Sequence, residues 1–366
     1  MAGKTDFLKS FKKELDDMEG IGTSAHPPRY WYSTGNFVLN KIISGSFYKG
    51  IPQGRVTNFA GSAGAGKSFL AANCIRAAQQ AGAMVLVVDS ENSLDDEFMT
   101  KIGVDTTSDY TYADVVTIND VARVVSRFLK GYKDAFGTDP TAPQALILID
   151  SLDMLITETE QDHYEKGVQK GDQGQKNKQL KQMLRTFVQD IKRLNVTMVV
   201  TSQVYKNQDV LNGEGLWIIS DAVKYSASQI VLLSKLKLKD KTDNAVSGIR
   251  MKAEGNKTRF TKPFQTVVVE VPYETGMDPY SGLLETAIEL GVVEKKGSRY
   301  SIVGEADSWY SKDIATFAEK ILLSCEAKTN AFLKANPDAE VDEDDLAASE
   351  EGLSKKKSKK FSKATE

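Results

Sequence analysis

Continuous apolar runs and helix-like hydrophobic patterns alternate along the middle of the chain. The apolar runs predict buried strands, because a strand covered on both faces shows no polar alternation. Apolar residues between Leu180 and Leu194 recur instead at the spacing of one helix face. The strands are RVTNFAG (55–61), MVLVVDS (84–90), ALILID (145–150) and VTMVVTSQ (196–203), and an Ala-rich helix covers FLAANCIRAAQQAG (69–82). This alternation predicts an α/β fold with a mostly parallel central sheet.

The pattern changes towards both ends. Residues 6–18 place apolar side chains at helical spacing and predict a short amphipathic helix, and two prolines in the following linker prevent its continuation. Later strands are predicted in QIVLLSKLKLK, GIRMKAEGN and FQTVVVEV, followed by a small helical lobe with a strand-like end. The tail has eight acids and no base in residues 338–351, then six lysines in residues 355–363. Such charge blocks are typical of a disordered interaction tail.

These changes predict four parts. They are an N-terminal helix and linker (1–32), a core (33–272), a small C-terminal lobe (273–335) and a disordered acidic, then Lys-rich tail (336–366).

Composition and charge exclude several classes of protein. The 366 residues are 41% hydrophobic and 27% charged, and no apolar run reaches the ~18 residues of a membrane span, so we expect a soluble, unexported, cytoplasmic protein. Cys74 and Cys325 have no metal-ligand spacing with His26 or His163, which favours buried thiols over a zinc site or disulfides. A net charge of −3 argues against nucleic-acid binding by bulk charge, so any such binding must be local.

The segment GSAGAGKS (61–68) carries the strongest chemical signal. It matches GxxxxGK[ST] between a predicted strand and a predicted helix. Its backbone N–H groups can surround phosphate oxygens, Lys67 can reach the β- and γ-phosphates, and the Ser68 hydroxyl can bind Mg²⁺. Asp150 ends a buried strand and is the natural second Mg²⁺ partner, or a helix N-cap. The predicted ATP-binding residues are Gly61, Ser62, Ala63, Gly64, Ala65, Gly66, Lys67, Ser68, Phe69 and Asp150, with Ser68 and Asp150 holding the metal.

A base for the attacking water must come from elsewhere, because Asp150 is followed by Ser151 and Leu152 rather than by Glu. Glu91 and Asp89 lie at or just beyond the end of another central strand, and the carboxyl ends of parallel strands converge on one crevice. From the residues alone both remain candidates, with Glu91 preferred. Gln203 ends a third strand, and its neutral amide can hydrogen-bond a γ-phosphate. The segment after it has no helix or strand pattern over nearly twenty residues, which indicates a functional loop or a wrong assignment.

Taken together, these segments resemble the RecA/RadA strand-exchange recombinases, and among them the UvsX-type recombinases of tailed bacteriophages. The resemblance spans roughly residues 33–300. The matching segments are STGNFVLNKIISG, GSAGAGKS, VVDSENSLDDEFMTKIGVD, LILIDSLDML, TSQ (201–203) and GMDPYSGLLETAIELGVV. It implies a RecA-type P-loop ATPase core that uses ATP and Mg²⁺.

The resemblance also implies roles for individual residues. Glu91 becomes the catalytic base, Gln203 the phosphate sensor, and Lys257 and Arg259 cations that reach the γ-phosphate of a neighbouring subunit; solvated charges on an edge strand are the alternative for the last two. The segments near 157–178 and 204–220 become contacts for single-stranded DNA. The DNA-contacting candidates are Lys176, Lys178, Lys206, Asn207, Gly213, Gly215 and Trp217. Neither segment is basic overall, and an aromatic residue near a strand end, such as Trp217, is more often a core residue than a base contact.

We therefore expect a DNA-dependent ATPase with strand-exchange activity that forms helical filaments on single-stranded DNA and pairs it with homologous duplex, for recombination, repair and recombination-dependent replication. The N-terminal helix resembles an oligomerisation arm, and the implied partners include a single-strand-binding protein and a recombination mediator. One alternative is a RecA-fold hexameric helicase, which the short N-terminal segment disfavours. A second is an accessory protein that binds nucleotide without hydrolysing it. If the gene is phage-encoded, the site of action is the bacterial host's cytoplasm.

Overall fold

The computed structural model describes residues 3–18, 25–168, 170, 174–206, 217–240 and 244–335, with backbone alone for 206, 217, 218 and 333–335. The helices are α1 (Lys4–Asp16), α2 (Phe37–Ser44), α3 (Lys67–Gln80), α4 (Asp96–Ile102), α5 (Ile118–Phe136), α6 (Glu158–Glu165), α7 (Gln175–Ile191), α8 (Asp221–Ser226), α9 (Leu283–Glu289) and α10 (Ile314–Ala335), with a 3₁₀ turn at Ser311–Asp313. The strands are β1 (Trp31–Tyr32), β2 (Ile51–Pro52), β3 (Val56–Gly61), β4 (Met84–Asp89), β5 (Tyr110–Asp114), β6 (Ala145–Asp150), β7 (Val196–Ser202), β8 (Tyr205–Lys206), β9 (Trp217–Ile218), β10 (Gln229–Lys239), β11 (Val246–Lys257), β12 (Thr266–Pro272), β13 (Val293–Lys296), β14 (Arg299–Ile302) and β15 (Ser308–Trp309).

A large sheet forms the centre of the fold, in the order β12-β11-β10-β3-β7-β6-β4-β5. From β10 to β5 neighbouring strands are parallel, and β11 and β12 continue the sheet antiparallel. The predicted α/β architecture is therefore confirmed. The register sets Asp89 beside Asp150 and Ala60 beside Ser202, so the ends of neighbouring strands lie along one edge.

Helices cover both faces of the sheet and form two apolar cores. On one face, α2, α3, α9 and α10 pack against β3, β4 and β11, with Leu39, Leu70, Leu283 and Ile321 fully or almost fully buried. On the other face, α5, α7 and α8 pack against β4, β6 and β7. The strands β6 and β7 are buried at every residue, which explains their unbroken apolar sequence.

The C-terminal lobe differs from the sequence expectation. Its predicted helix is α9, but β13, β14 and β15 form a small antiparallel sheet and the long α10 closes the lobe. Trp309 and Ile321 bury themselves against the main core, so tertiary packing orders this region. The predicted strand-like end is β14, whereas β13 and β15 were missed because each pairs only over two to four residues.

The N-terminal helix α1 forms where the hydrophobic spacing predicts it, yet none of its residues is buried. Phe7 and Leu8 are each more than 60% exposed. None of the helices in the described ranges is both long and apolar enough to cross a membrane. The predicted disordered tail, 336–366, lies outside the described residues.

Cys74 and Cys325 are free and buried, as the sequence predicts for structural thiols. Among the described residues, no group of His, Cys, Asp and Glu side chains has the arrangement of a metal site.

Candidate functional site

The loop between β3 and α3 is shaped by two glycines in the left-handed region. Gly64 has φ 68° and Gly66 has φ 97°, conformations that favour glycine over any residue with a Cβ. Gly66 is also the N-cap of α3, whose first residue is Lys67. The unpaired N–H groups and positive dipole of a helix start favour an anion here, so the local geometry fits phosphate.

Lys67 lies inside this loop rather than outside it. Its Nζ donates to the carbonyl oxygens of Gly61 (3.0 Å) and Ser62 (3.2 Å), and the residue is only 8% exposed. A second cation, Lys235 of β10, donates to the carbonyl of Ala63 at 3.2 Å from the solvent side. The phosphate loop is therefore bordered by two lysines, of which the sequence predicted one.

Asp150 is fully buried at the end of β6. Its Oδ1 accepts a hydrogen bond from the hydroxyl of Thr201 on neighbouring β7, whereas Oδ2 is buried and accepts none from any described residue. Burial raises the pKa of Asp150, and the nearby hydroxyls of Thr201 and Ser68 lower it in part. A buried oxygen without a donor, next to a serine hydroxyl, fits the hard-oxygen coordination that Mg²⁺ prefers.

Asp89 and Glu91, which the sequence left as alternatives, have different environments. The Asp89 carboxylate is buried and accepts the N–H groups of Glu91 (2.8 Å), Ser93 (2.9 Å) and Leu94 (3.0 Å) as well as the Tyr112 hydroxyl (3.1 Å). It therefore holds the loop after β4 in place. Glu91 is exposed, and its Oε1 accepts the Ser151 hydroxyl just beyond Asp150. The geometry leaves Glu91 as the carboxylate that can face a water molecule.

Gln203 lies directly after the last residue of β7, at the same edge of the sheet. Its backbone N–H donates to Asp153 Oδ2 at 2.6 Å, and its neighbour Ser202 accepts a hydrogen bond from the Asn58 side chain of β3 at 3.0 Å. The side chain is partly buried. Lys67, Asp150, Glu91 and Gln203 thus lie at the carboxyl ends of the adjacent strands β3, β6, β4 and β7, where ligands bind in open α/β sheets.

The first predicted DNA-binding segment, 157–178, contains regular structure. Thr157 and Glu160 form a capping box that starts α6, and α7 begins at Gln175. Lys176 and Lys178 therefore lie on the first turn of α7 rather than in a loop. Lys178 is exposed, and Lys176 Nζ donates to the carbonyl of Asp153.

The second segment is closed at its base by the short antiparallel pair β8 and β9, in which Lys206 pairs with Trp217. No strand was predicted there, because two-residue strands leave no periodicity in the sequence. The candidates Asn207, Gly213 and Gly215 lie outside the described residues, and for Lys206 and Trp217 the structure describes the backbone alone.

Lys257 and Arg259 lie at the opposite edge of the sheet. Lys257 pairs with Ile230 near the start of β10, and its Nζ donates to the carbonyl of Lys224 at 2.7 Å. Arg259 borders a pocket of about 440 Å³ beside the start of β3, and the described residues that line this pocket include no acid. Its basic lining residues are His26, Arg55, Lys181, Arg185, Lys192 and Arg259. Burial and the nearby Arg259 lower the pKa of Arg55. Lys257 and Arg259 therefore lie away from the phosphate loop of their own chain.

Sequence reasoning missed Thr201, Ser151, Asp153 and Lys235. Thr201 and Ser151 had a usable signal, because each adjoins a strand end that carries a predicted site residue. Lys235 and Asp153 had none, since their contacts depend on the order of the strands in the sheet.

Comparison with known proteins gives consistent similarity. The RecA N-terminal domain family matches residues 21–278. Protein RecA of Thermus aquaticus is 28% identical over 255 residues, which cover 69% of this chain and 70% of the relative. Protein RecA of Cytophaga hutchinsonii is 25% identical over 274 residues, covering 74% and 72%. For protein RecA of Kineococcus radiotolerans the identity is 25% over 324 residues, covering 87% and 82%.

Proposed function

Because this chain belongs to the RecA family, whose members are DNA-dependent ATPases, we propose that it is an ATP-dependent recombinase that exchanges DNA strands within a helical filament on single-stranded DNA. The observation that carries the proposal is the meeting of Lys67, Asp150, Glu91 and Gln203 at one edge of the sheet, from which both candidate DNA-binding segments leave. The residues that would act on the nucleotide and the segments that would contact DNA thus follow the same group of strands.

ATP would bind with its phosphates against the loop 61–68 and the start of α3. Lys67 would move its ammonium group from the carbonyls of Gly61 and Ser62 to the β- and γ-phosphates. Ser68 and Asp150 would hold Mg²⁺, which neutralises charge on the phosphates when bound. The buried, donor-free Oδ2 of Asp150 supports this assignment.

Glu91 would accept the proton of the attacking water. Its hydrogen bond from Ser151 fixes the carboxylate beside the end of β6, close to the Mg²⁺-binding position that we propose. A general base of this kind must approach within hydrogen-bond distance of the water, directly or through a second water. Asp89 is unsuited to this role because its two oxygens already accept four hydrogen bonds.

Lys257 and Arg259 would act on the nucleotide of an adjacent subunit. Their position at the edge opposite the phosphate loop supports a head-to-tail interface, in which the basic edge of one copy meets the nucleotide edge of the next. Such a heterologous interface produces a helical filament when it does not close into a ring. The unburied apolar face of α1 supports its role as an oligomerisation arm on that neighbour.

Finer features of the proposal follow the resemblance to UvsX-type phage recombinases. We assign the core to 33–272, the small lobe to 273–335, the arm to 1–32 and an interaction tail to 336–366. Single-stranded DNA would contact Lys176, Lys178, Lys206, Asn207, Gly213, Gly215 and Trp217, and a single-strand-binding protein and a mediator would assist loading.

Formation of joint molecules tests the proposed function. Purified protein, a single strand and a homologous supercoiled duplex should yield paired products only with ATP and Mg²⁺. Unwinding without pairing would point to a helicase, and DNA binding without ATP hydrolysis would point to an accessory protein. Electron microscopy of the same mixture distinguishes filaments from rings.

For Gln203→Ala we expect nearly unchanged ATP binding but a loss of the nucleotide dependence of DNA binding. The amide can hydrogen-bond a γ-phosphate without adding charge, and the second DNA-binding segment starts directly after it. Binding of a labelled oligonucleotide with ATP analogue and with ADP measures the effect. Gln80→Ala, an exposed glutamine at the end of α3, is the control. A variant whose DNA affinity still follows the nucleotide would refute the switch.

A further inference from the structure

Asp153, to which the sequence pattern assigns no role, makes three contacts at the base of the candidate DNA-binding segments. Its Oδ2 accepts the backbone N–H of Gln203 at 2.6 Å, and its Oδ1 accepts the hydroxyl of Tyr205 at 3.1 Å. Its carbonyl oxygen accepts Lys176 Nζ at 2.5 Å. One half-buried residue thus contacts the nucleotide edge, the first strand of the second segment and the end of the first segment.

We propose that Asp153 is a positioning residue that transmits the state of the nucleotide from Gln203 to both DNA-binding segments. The inference rests on the proposed function, because it assumes that Gln203 responds to the γ-phosphate. It adds the physical connection between that response and the DNA.

The two carboxylate oxygens of Asp153 form one rigid group. If Gln203 shifts towards a phosphate, its backbone N–H changes position relative to Asp153 Oδ2. The carboxylate must then rotate or follow to keep this hydrogen bond. Oδ1 then moves relative to the Tyr205 hydroxyl, so the start of β8 moves or loses this hydrogen bond. Hydrogen bonds to a charged group are about twice as strong as neutral ones, which makes this connection stiff.

The backbone around Asp153 links it equally firmly to the metal-binding edge. Leu152 donates its N–H to the carbonyl of Thr201 at 3.1 Å, and the Thr201 hydroxyl donates to Asp150. Asp153 therefore lies between the acid that we assign to Mg²⁺ and the residues that lead to DNA. Burial and then the neighbouring Asp153 raise the pKa of Tyr205, in agreement with a hydroxyl that stays protonated and donates.

A cavity of about 380 Å³ lies beside this network and is lined by Asp153, Lys176, Asn177, Tyr205 and Ser220, among others. Packed protein interiors resist small displacements because neighbouring side chains must move as well. Here Tyr205 and Lys176 border open space, so they can change conformation without disturbing the two apolar cores. The hydrogen bonds of Asp153 thus form a stiff connection, and the cavity leaves space in which Tyr205 and Lys176 can move.

The test compares single-stranded DNA affinity with an ATP analogue and with ADP, by fluorescence anisotropy of a labelled oligonucleotide, and measures ATP affinity separately. We expect Asp153→Ala to lower the ratio of the two DNA affinities about tenfold, a typical size for allosteric coupling, while ATP affinity changes less than about twofold. Tyr205→Phe, which removes one hydroxyl, should lower the ratio about threefold. Asp190→Ala, an exposed aspartate of α7, is the matched control and should leave it unchanged.

Adding Asp153→Ala to Gln203→Ala should cause no further loss of the ratio, because the nucleotide dependence is already lost when Gln203 cannot respond to the γ-phosphate. A wild-type ratio in Asp153→Ala would overturn the inference, as would an equal loss of ATP affinity, which indicates a purely structural role. If Asp153→Ala fails to fold in a thermal melt, Asp153→Asn and Tyr205→Phe decide, and wild-type ratios in both would overturn it. If wild-type protein binds DNA equally well with the ATP analogue and with ADP, the proposed nucleotide switch itself is refuted.

Discussion

Replacing Lys67 with alanine should reduce ATP hydrolysis by at least about a hundredfold, since loss of one hydrogen-bond donor to a developing anion has that size of effect. Lys67 is the buried cation of the phosphate loop, and its ammonium group already lies within hydrogen-bond distance of the loop's carbonyls. The substitution removes both a phosphate contact and two hydrogen bonds that shape the loop. Steady-state ATPase activity with saturating single-stranded DNA measures the effect.

Two variants make this experiment specific. Lys67→Arg keeps the charge but not the compact ammonium geometry, so it should also be strongly impaired. Lys101→Ala removes an exposed lysine on α4 that pairs with Glu97, and its activity should match wild type. A thermal melt of each variant checks folding. ATPase activity of Lys67→Ala equal to that of wild type would show that nucleotide binds elsewhere.

Replacing Glu91 with glutamine should leave ATP and DNA binding intact and slow hydrolysis about 10²- to 10⁴-fold, the usual contribution of a general base. Glutamine can still accept the Ser151 hydroxyl through its carbonyl oxygen, so the local structure should survive. Filaments formed with ATP should therefore persist instead of turning over. Single-turnover hydrolysis together with filament lifetime in electron micrographs tests both halves of this expectation.

Asp89, the carboxylate at the end of β4, should affect stability rather than hydrolysis directly. Asp89→Asn replaces one acceptor by a donor in a buried carboxylate that accepts four hydrogen bonds, and we expect it to cost about 1–3 kcal/mol of stability. Glu97→Gln, on the exposed surface of α4, serves as the neutral control. Rapid hydrolysis by a well-folded Glu91→Gln protein would contradict the role of Glu91 and show that another group is the base.

A strand, helix or site residue could be predicted from the sequence when the residues that determine it are neighbours in the chain. The strands β4, β6 and β7 were predictable because burial on both faces removes polar alternation, and the phosphate loop because its glycines and Lys67 are contiguous. The helix α5 had a readable signal too, since Ile118, Val121, Val125 and Leu129 are buried on one face. This helix was not predicted, although positions 118, 121, 125 and 129 follow one helix face in the sequence.

Contacts between distant segments were not predictable in this way. Asp153 meets Gln203 across 50 positions, and the meeting depends on β6 and β7 being neighbours in the sheet. Likewise, nothing in GNKTRFTKPF states that Lys257 and Arg259 lie at the edge opposite Lys67. That follows from the antiparallel pairing of β11 with β10, which brings the end of one strand to the start of the other.

The candidate site lies at and just beyond the carboxyl ends of the inner strands β3, β7, β6 and β4 of the large sheet, which β10 and β5 flank. Amide hydrogens in such inner strands exchange with solvent mainly when the whole domain opens, whereas edge strands and helix ends exchange through local fraying. We therefore expect the strands beneath the site to be the most slowly exchanging part of the molecule, whereas Glu91 and Gln203 lie just beyond their ends. A bound nucleotide would then protect amides as far away as the second core, because its binding energy adds to the stability of the whole cooperative unit.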